Sequence, residues 1–211
     1  MDGDRLHPRR GGRGQNAPMR VLLVAAPGAG KGTQATRIAQ RYGITHISSG
    51  DLLRRHVQRG TTIGRKVQAF VQRGDLVPDE IVISILSEPV LEAAGAGGYV
   101  LDGFPRTAHQ AEMAYELAHP LDVEVQVTVA LDVPRDELLR RLLHRAAVEG
   151  RADDTEAVIL HRLDVYDETS NALLGYYDGR GILRRVDGLG TVDEVRKRIW
   201  DALDPFRRVA E

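Results

Sequence analysis

The stretch Arg20-Val-Leu-Leu-Val-Ala-Ala-Pro-Gly-Ala-Gly-Lys-Gly-Thr-Gln34 decides how the rest of the chain is read. Arg20–Ala25 is a continuous apolar run stopped by Pro27 and Gly28, the pattern of a strand buried on both faces. Lys31–Tyr42 follows with helical spacing through Ala35, Ile38 and Ala39, and Gly43 suits its end. Between them, Gly28, Ala29, Gly30 and Gly32 let the backbone turn so tightly that several N–H groups face one anion. The helix N-terminus adds its positive dipole, Lys31 a full charge, and Thr33 a hydroxyl within reach of a magnesium ion. The spacing G-x-x-x-x-G-K-[ST] of a phosphate-binding loop is met imperfectly, because Ala25 holds the first position and Gly32 intervenes before Thr33. A dinucleotide fingerprint fits worse. It needs glycine at Thr33 and leaves Lys31 without a purpose.

Outward from this segment, short apolar runs alternate with amphipathic ones. Ile44–Ile47, Tyr99–Leu101, Glu124–Val133 and Ile182–Val186 read as further strands. Asp79–Ala93, Pro134 to about Arg145, Asp153 to about Tyr177, and Thr191–Leu203 read as helices. The alternation implies an α/β, three-layer fold with a five-stranded parallel sheet and helices on both faces. Two segments break the rhythm: residues 48–77, with two short helical patterns and no strand, and the polar stretch 146–154. Insertions after strand ends are where α/β folds build binding elements, so both are expected to move.

The full chain has 211 residues, 29 Lys+Arg against 30 Asp+Glu, and no cysteine. Thiolate nucleophiles, disulfides and cysteine-bound zinc are excluded, and a dedicated nucleic-acid binder would carry more positive charge. Residues 1–18 hold four Gly, two Pro and four Arg and are expected to form a disordered tail, with residues 19–211 as one domain. No run approaches the roughly 18 apolar residues of a membrane span, and the leader lacks the apolar centre of a signal peptide. A cytoplasmic location, without membrane or nucleic-acid partners, is expected.

Five motifs in order are similar to those of the adenylate kinase and related nucleoside monophosphate kinase family, over about residues 19–204. The first is Pro27-Gly-Ala-Gly-Lys-Gly-Thr-Gln34. Ile47-Ser-Ser-Gly-Asp-Leu-Leu-Arg54 resembles the monophosphate-binding entry, and Leu101-Asp-Gly-Phe-Pro-Arg-Thr107 with Gln110 the signature loop. Arg141, Arg145, Arg151-Ala-Asp-Asp154 and Arg162 resemble the lid and its flanking arginines, and Val186-Asp-Gly188 with Gly190 the stretch closing on adenine. The resemblance implies a P-loop NTPase-type core (19–47, 78–145, 155–211), a monophosphate-binding arm (48–77) and a short lid (146–154).

It also implies the activity: reversible, Mg-dependent phosphoryl transfer, ATP + AMP = 2 ADP, by a chain acting as a monomer. Such a transfer asks for positioning and charge neutralisation, because two anions must meet in line. Guanidinium groups suit it, being always charged and able to grip phosphate with two bonds. By the resemblance, Arg54 and Arg106 hold the acceptor phosphate. Lys31, Arg145, Arg151 and Arg162 surround the transferring group, and Arg141 packs on the ATP base. Ser49, the wall Asp75-Leu76-Val77, Gly103, Phe104, Pro105 and Gln110 complete the AMP side, with Arg151 and Arg162 closing over it. Gly28 to Thr33 and Gly190 serve ATP. Asp102 and Thr33 hold magnesium through water, and no zinc is expected.

Plainer readings stand beside these. Arg141 and Arg145, four apart, also fit a salt-bridged helix face; Asp102 also fits a turn cap; His46 and His109 fit packing or solvated roles. Through Thr107, Gln110 and Ser49 the resemblance implies AMP as the acceptor in preference to pyrimidine monophosphates. A paralogue with broader acceptor preference, and a nucleotide-binding regulator with little turnover, are the alternatives.

Overall fold

The computed structural model describes residues 18–149 and 155–207. The expected tail, and Gly150 to Asp154 of the expected lid, lie outside the described residues. Five parallel strands form one sheet in the order β2-β3-β1-β4-β5: β1 Met19–Ala25, β2 Thr45–Ser48, β3 Gly98–Asp102, β4 Val127–Asp132 and β5 Leu183–Asp187. β1 is central and every one of its residues is buried, as its unbroken apolar run requires. Alternate side chains feed two cores: Val21, Leu23 and Ala25 pack on one face, Leu22 and Val24 on the other.

Helices α1 (Lys31–Tyr42), α6 (Arg135–Glu149) and α8 (Val192–Leu203) contribute Ile38, Leu142 and Ile199 to the first core. Helices α4 (Asp79–Gly95) and α5 (Ala108–Ala118) cover the second with Leu86 and Ala111, and α7 (Glu156–Gly179) serves both, through Leu163 and Leu173. Chain connections leave β1 in one direction and rejoin the sheet on its other side at β4. That switch point is where open α/β sheets bind ligands, outside the carboxyl ends of the strands.

The segment 48–77 holds α2 (Ser49–Gln58) and α3 (Thr62–Arg73), each capped by a hydroxyl: Ser48 accepts from the Asp51 N–H, and Thr61 from the Gly64 N–H. The two helices touch at Gly64, where a Cβ would stand 2.0 Å from the His56 carbonyl oxygen. Only a residue without a side chain permits that approach.

Two expectations need correction, and one helix has no counterpart among them. The fourth strand begins at Val127, not Glu124, because the residues before it turn to serve Arg20 of β1: its guanidinium Nε donates to the Glu124 carbonyl (2.7 Å). The helix expected to end near Arg145 continues to Glu149, since Ala146 and Ala147 favour helix and no breaker precedes Gly150. The sequence reading assigned nothing to α5, whose alanine-rich stretch has a weak apolar stripe. Among the described residues no helix is long and apolar enough to cross a membrane.

Candidate functional site: a cationic cleft at the carboxyl ends of the strands

The loop after β1 is shaped by two left-handed glycines. Gly28 (φ 84°) also lies under α6, where a Cβ would stand 2.7 Å from Leu142 Cγ and 3.0 Å from the Leu138 carbonyl oxygen. Gly30 (φ 89°) is the N-cap of α1, and no side chain caps that helix. Its first N–H groups are left for an incoming anion. Ala25, where the general pattern has glycine, is the last residue of β1, 6% exposed, and has an ordinary negative φ. Its methyl belongs to the core, so alanine is accommodated without strain.

The Lys31 ammonium curls back onto this loop, donating to the carbonyls of Ala25 (2.9 Å) and Ala26 (3.1 Å). Burial pushes its pKa down to about 8; Asp102 opposes the shift, and Arg106 and Arg145 reinforce it. A bound phosphate would reverse the balance. Arg106 lies over the same region, its Nε donating to the Gly103 carbonyl (2.8 Å). Desolvation by the surrounding protein, then Arg162, lower its pKa, Asp102 raises it, and Arg54 lowers it again. Its side chain nonetheless remains open to water in the cleft, and a guanidinium stays charged at any ordinary pH.

These groups line one cavity of about 530 Å³. Among the described residues six cationic side chains face it, Lys31, Arg54, Arg106, Arg141, Arg145 and Arg162, against three carboxylates, Asp51, Asp75 and Asp102. A chain with net charge −1 thus carries a local excess of positive charge in this cleft. Such focusing suits a ligand with several phosphates, and the ligand's charge offsets the mutual repulsion of the cations.

The cleft also has less charged ground. Ser49 is 1% exposed and its hydroxyl has no hydrogen-bond partner among the described residues, the condition of a buried group a ligand would satisfy. Its Oγ lies so close to Gly103 (φ 85°) that a Cβ there would approach it to 2.7 Å. Leu76, Val77, Phe104 and Pro105 add an apolar wall. Gln110 braces the loop before α5: its Oε1 accepts from the Arg106 N–H (2.7 Å) and its Nε2 donates to Asp79 (2.7 Å). One N–H and one lone pair of that amide are left for a base edge. Thr107 caps α5 by accepting from the Gln110 N–H, a local reason for its identity.

Arg54 pairs with Asp51 on α2, and Arg162 donates to the Val71 carbonyl at the end of α3 (3.3 Å). Arg141 is held by Glu137 (2.7 Å) and leans on the Gly188 carbonyl (3.4 Å), so the loop after β5 meets the cleft there. The salt-bridged helix face considered for Arg141 exists, and Arg141 lines the cavity as well. His46 Nε2 lies 3.7 Å from the Asp102 carboxylate beneath the cleft, and exposed His109 lies beside Asp79.

Of the residues named from sequence, Ala29 and Gly190 do not line the cavity. Ala29 turns into the core, 3% exposed, and its N–H is spent on the Ala26 carbonyl. Gly190 (φ 106°) sits farther along the loop after β5, and its neighbour Leu189 lines a separate, smaller hollow with Ala26, Val133 and Pro134. Arg151 lies outside the described residues. Sequence reasoning missed Tyr166, Thr169 and Leu173 of α7, which line the cavity on the same face as Arg162. The signal was available, since 162, 166, 169 and 173 follow helical spacing.

Thr33 and Asp102 both line the cavity, and among the described residues no three acidic or histidine side chains gather as a metal cage. That donor set fits magnesium, which keeps most of its waters and takes phosphate oxygens in place of a protein cage.

Against this geometry, the family model described as Adenylate kinase matches residues 23–182. An adenylate kinase of Thermus thermophilus is 48% identical over 183 residues, covering 87% of this chain and 96% of its own length. One from Kocuria rhizophila is 45% identical over 185 residues (88% and 98%), and one from Leptospira biflexa 45% over 184 (87% and 99%).

Proposed function

Because the chain belongs to the adenylate kinase family, we infer that the cationic cleft is where ATP and AMP meet. The reaction is transfer of a phosphoryl group between ATP and AMP, and the chain is a nucleoside monophosphate kinase. Residue roles, the metal and the breadth of acceptors are the proposal.

The gathering of six cations in one cavity carries the reading. ATP enters over the loop after β1, its phosphates taking the free N–H groups of α1. Lys31 leaves its two carbonyl partners for the phosphate oxygens, and Arg141 covers the base. AMP enters between α2, α3 and the Gly103–Thr107 loop, with its phosphate on Arg54 and Arg106 and its base against Leu76, Val77 and the Ser49 hydroxyl. Arg145 and Arg162 lie between the two sites and neutralise charge as the phosphoryl group passes. No protein nucleophile is needed: the acceptor phosphate oxygen attacks, and ADP leaves. Closure of the lid and the arm excludes water, which limits loss of the phosphoryl group to hydrolysis. Thr33 and Asp102 would hold magnesium through water, and the ion would supply neutralisation of phosphate charge. The chain acts as a monomer in the cytoplasm.

A coupled assay of ADP formation with AMP, GMP, CMP and UMP tests the acceptor assignment. AMP should be preferred by at least tenfold in kcat/KM; equal rates with CMP or UMP would overturn it. A broader acceptor range is the second reading, favoured by one observation: Gln110 already spends half its amide on the protein.

A further inference from the structure

Helix α7 meets the end of the arm at three adjacent points. Arg162 donates to the Val71 carbonyl. The Arg162 stem and Val158 pack on Gly74, so closely that a Cβ there would lie 2.8 Å from Arg162 Cγ and 3.2 Å from Val158 Cγ1. One residue earlier on the helix, His161 Nε2 lies 2.8 Å from Asp75 Oδ1, while the other carboxylate oxygen of Asp75 accepts from Arg73 Nε (2.7 Å). The stretch so gripped runs directly into Leu76 and Val77, which line the cavity.

We propose that His161 is a positioning residue for the monophosphate acceptor: through Asp75 it fixes the backbone that forms one wall of the acceptor pocket. This rests on the reading of residues 75–77 as the AMP wall. His161 does not line the cavity, so it acts only through Asp75. The pair spans 86 positions of sequence and joins the root of the lid to the root of the arm. An isolated exposed pair is worth little. This one closes a contact already made at Val71 and Gly74, so the chain segments it joins are held in place before it forms. Its loss frees the wall and leaves the ATP side untouched.

The test compares His161→Ala, His161→Arg and Asp75→Asn with the wild-type chain in steady-state kinetics, varying AMP and ATP separately. His161→Ala should raise KM for AMP about two- to fivefold, with KM for ATP, kcat and thermal midpoint unchanged. His161→Arg, which keeps a donor for the carboxylate, should restore the wild-type KM. The double variant His161→Ala/Asp75→Asn should be no worse than the more severe single one. An unchanged KM for AMP, an equal rise in both KM values, additive single effects, or failure of arginine to restore would each overturn the proposal. A wild-type chain that made no ADP would instead overturn the reading of the cleft itself.

Discussion

Gly32 is a glycine the protein does not need. It lies in the first turn of α1 without a positive φ, and a Cβ there would meet none of the described residues within 4 Å beyond its chain neighbours and its own helical backbone. Gly28 differs, being required both by its φ and by Leu142. Gly32 is therefore a glycine for the ligand's sake, and Gly32→Ala should separate stability from activity. Alanine in a helix is favoured over glycine by about 0.5–1 kcal/mol, less near a terminus, so the thermal midpoint should rise by roughly 1–4 °C for a chain of this size. The methyl occupies space in the cleft that ATP phosphates need and displaces them from the α1 N–H groups. Losing one charged hydrogen bond costs about 1.5–3 kcal/mol, which corresponds to a roughly 10- to 150-fold fall in kcat/KM for ATP. Scanning calorimetry and the coupled ADP assay on the same preparation read both effects. Unchanged kcat/KM, or a midpoint lowered by several degrees, would refute the reasoning.

Four further outcomes follow from the same geometry. Between pH 8 and 10.5 the unfolded chain holds a proton on Lys31 that the folded, nucleotide-free chain has released. Its contribution to stability should therefore rise with pH across that window, by up to about 3 kcal/mol, and a Lys31→Met variant should lack this rise in urea titrations. Nucleotide phosphate restores the charge, so ATP binding above pH 8 should take up a proton, measurable by calorimetry in buffers of different ionisation enthalpy; no uptake would contradict the curled, desolvated lysine. Arg106→Lys keeps a cation but loses the planar fork, and should lower kcat/KM for AMP roughly 10- to 100-fold with little change in urea midpoint. Ala25→Gly removes a buried methyl from a strand end, so stability should fall by about 1–2 kcal/mol with activity unaltered; a large loss of activity would show that the alanine serves the nucleotide.

The parts of the fold that were legible in the sequence are those where one physical demand dominates. β1 had to be central because its run from Val21 to Ala25 is apolar on both faces. Gly28 and Gly30 had to precede Lys31 because the chain turns through left-handed geometry there. Arg54, Arg106, Arg141 and Arg145 were placed in the cleft by their motifs, and the structure gathers them on one cavity. What stayed hidden depends on direction or distance. Ala29 sits among binding residues in sequence, yet its side chain and N–H face inward. Helix α5 shows little periodicity because its inward face is mostly alanine with a buried Gln110, while Leu117 points to solvent. The second half of Gln110's role, its bond to Asp79, joins positions 31 apart, and the His161–Asp75 contact joins positions 86 apart. Neither pair has a local pattern to announce it.

The central claim is that Lys31 and the arginines draw two nucleotides together phosphate to phosphate. A crystal structure with two adenosines joined through five phosphates tests it most directly. One adenosine should lie by Arg141 and the other by Val77, with the bridging phosphates touching Lys31, Arg106, Arg145 and Arg162. A polyphosphate chain that bypassed those side chains, or both adenosines on one side of the cleft, would contradict it.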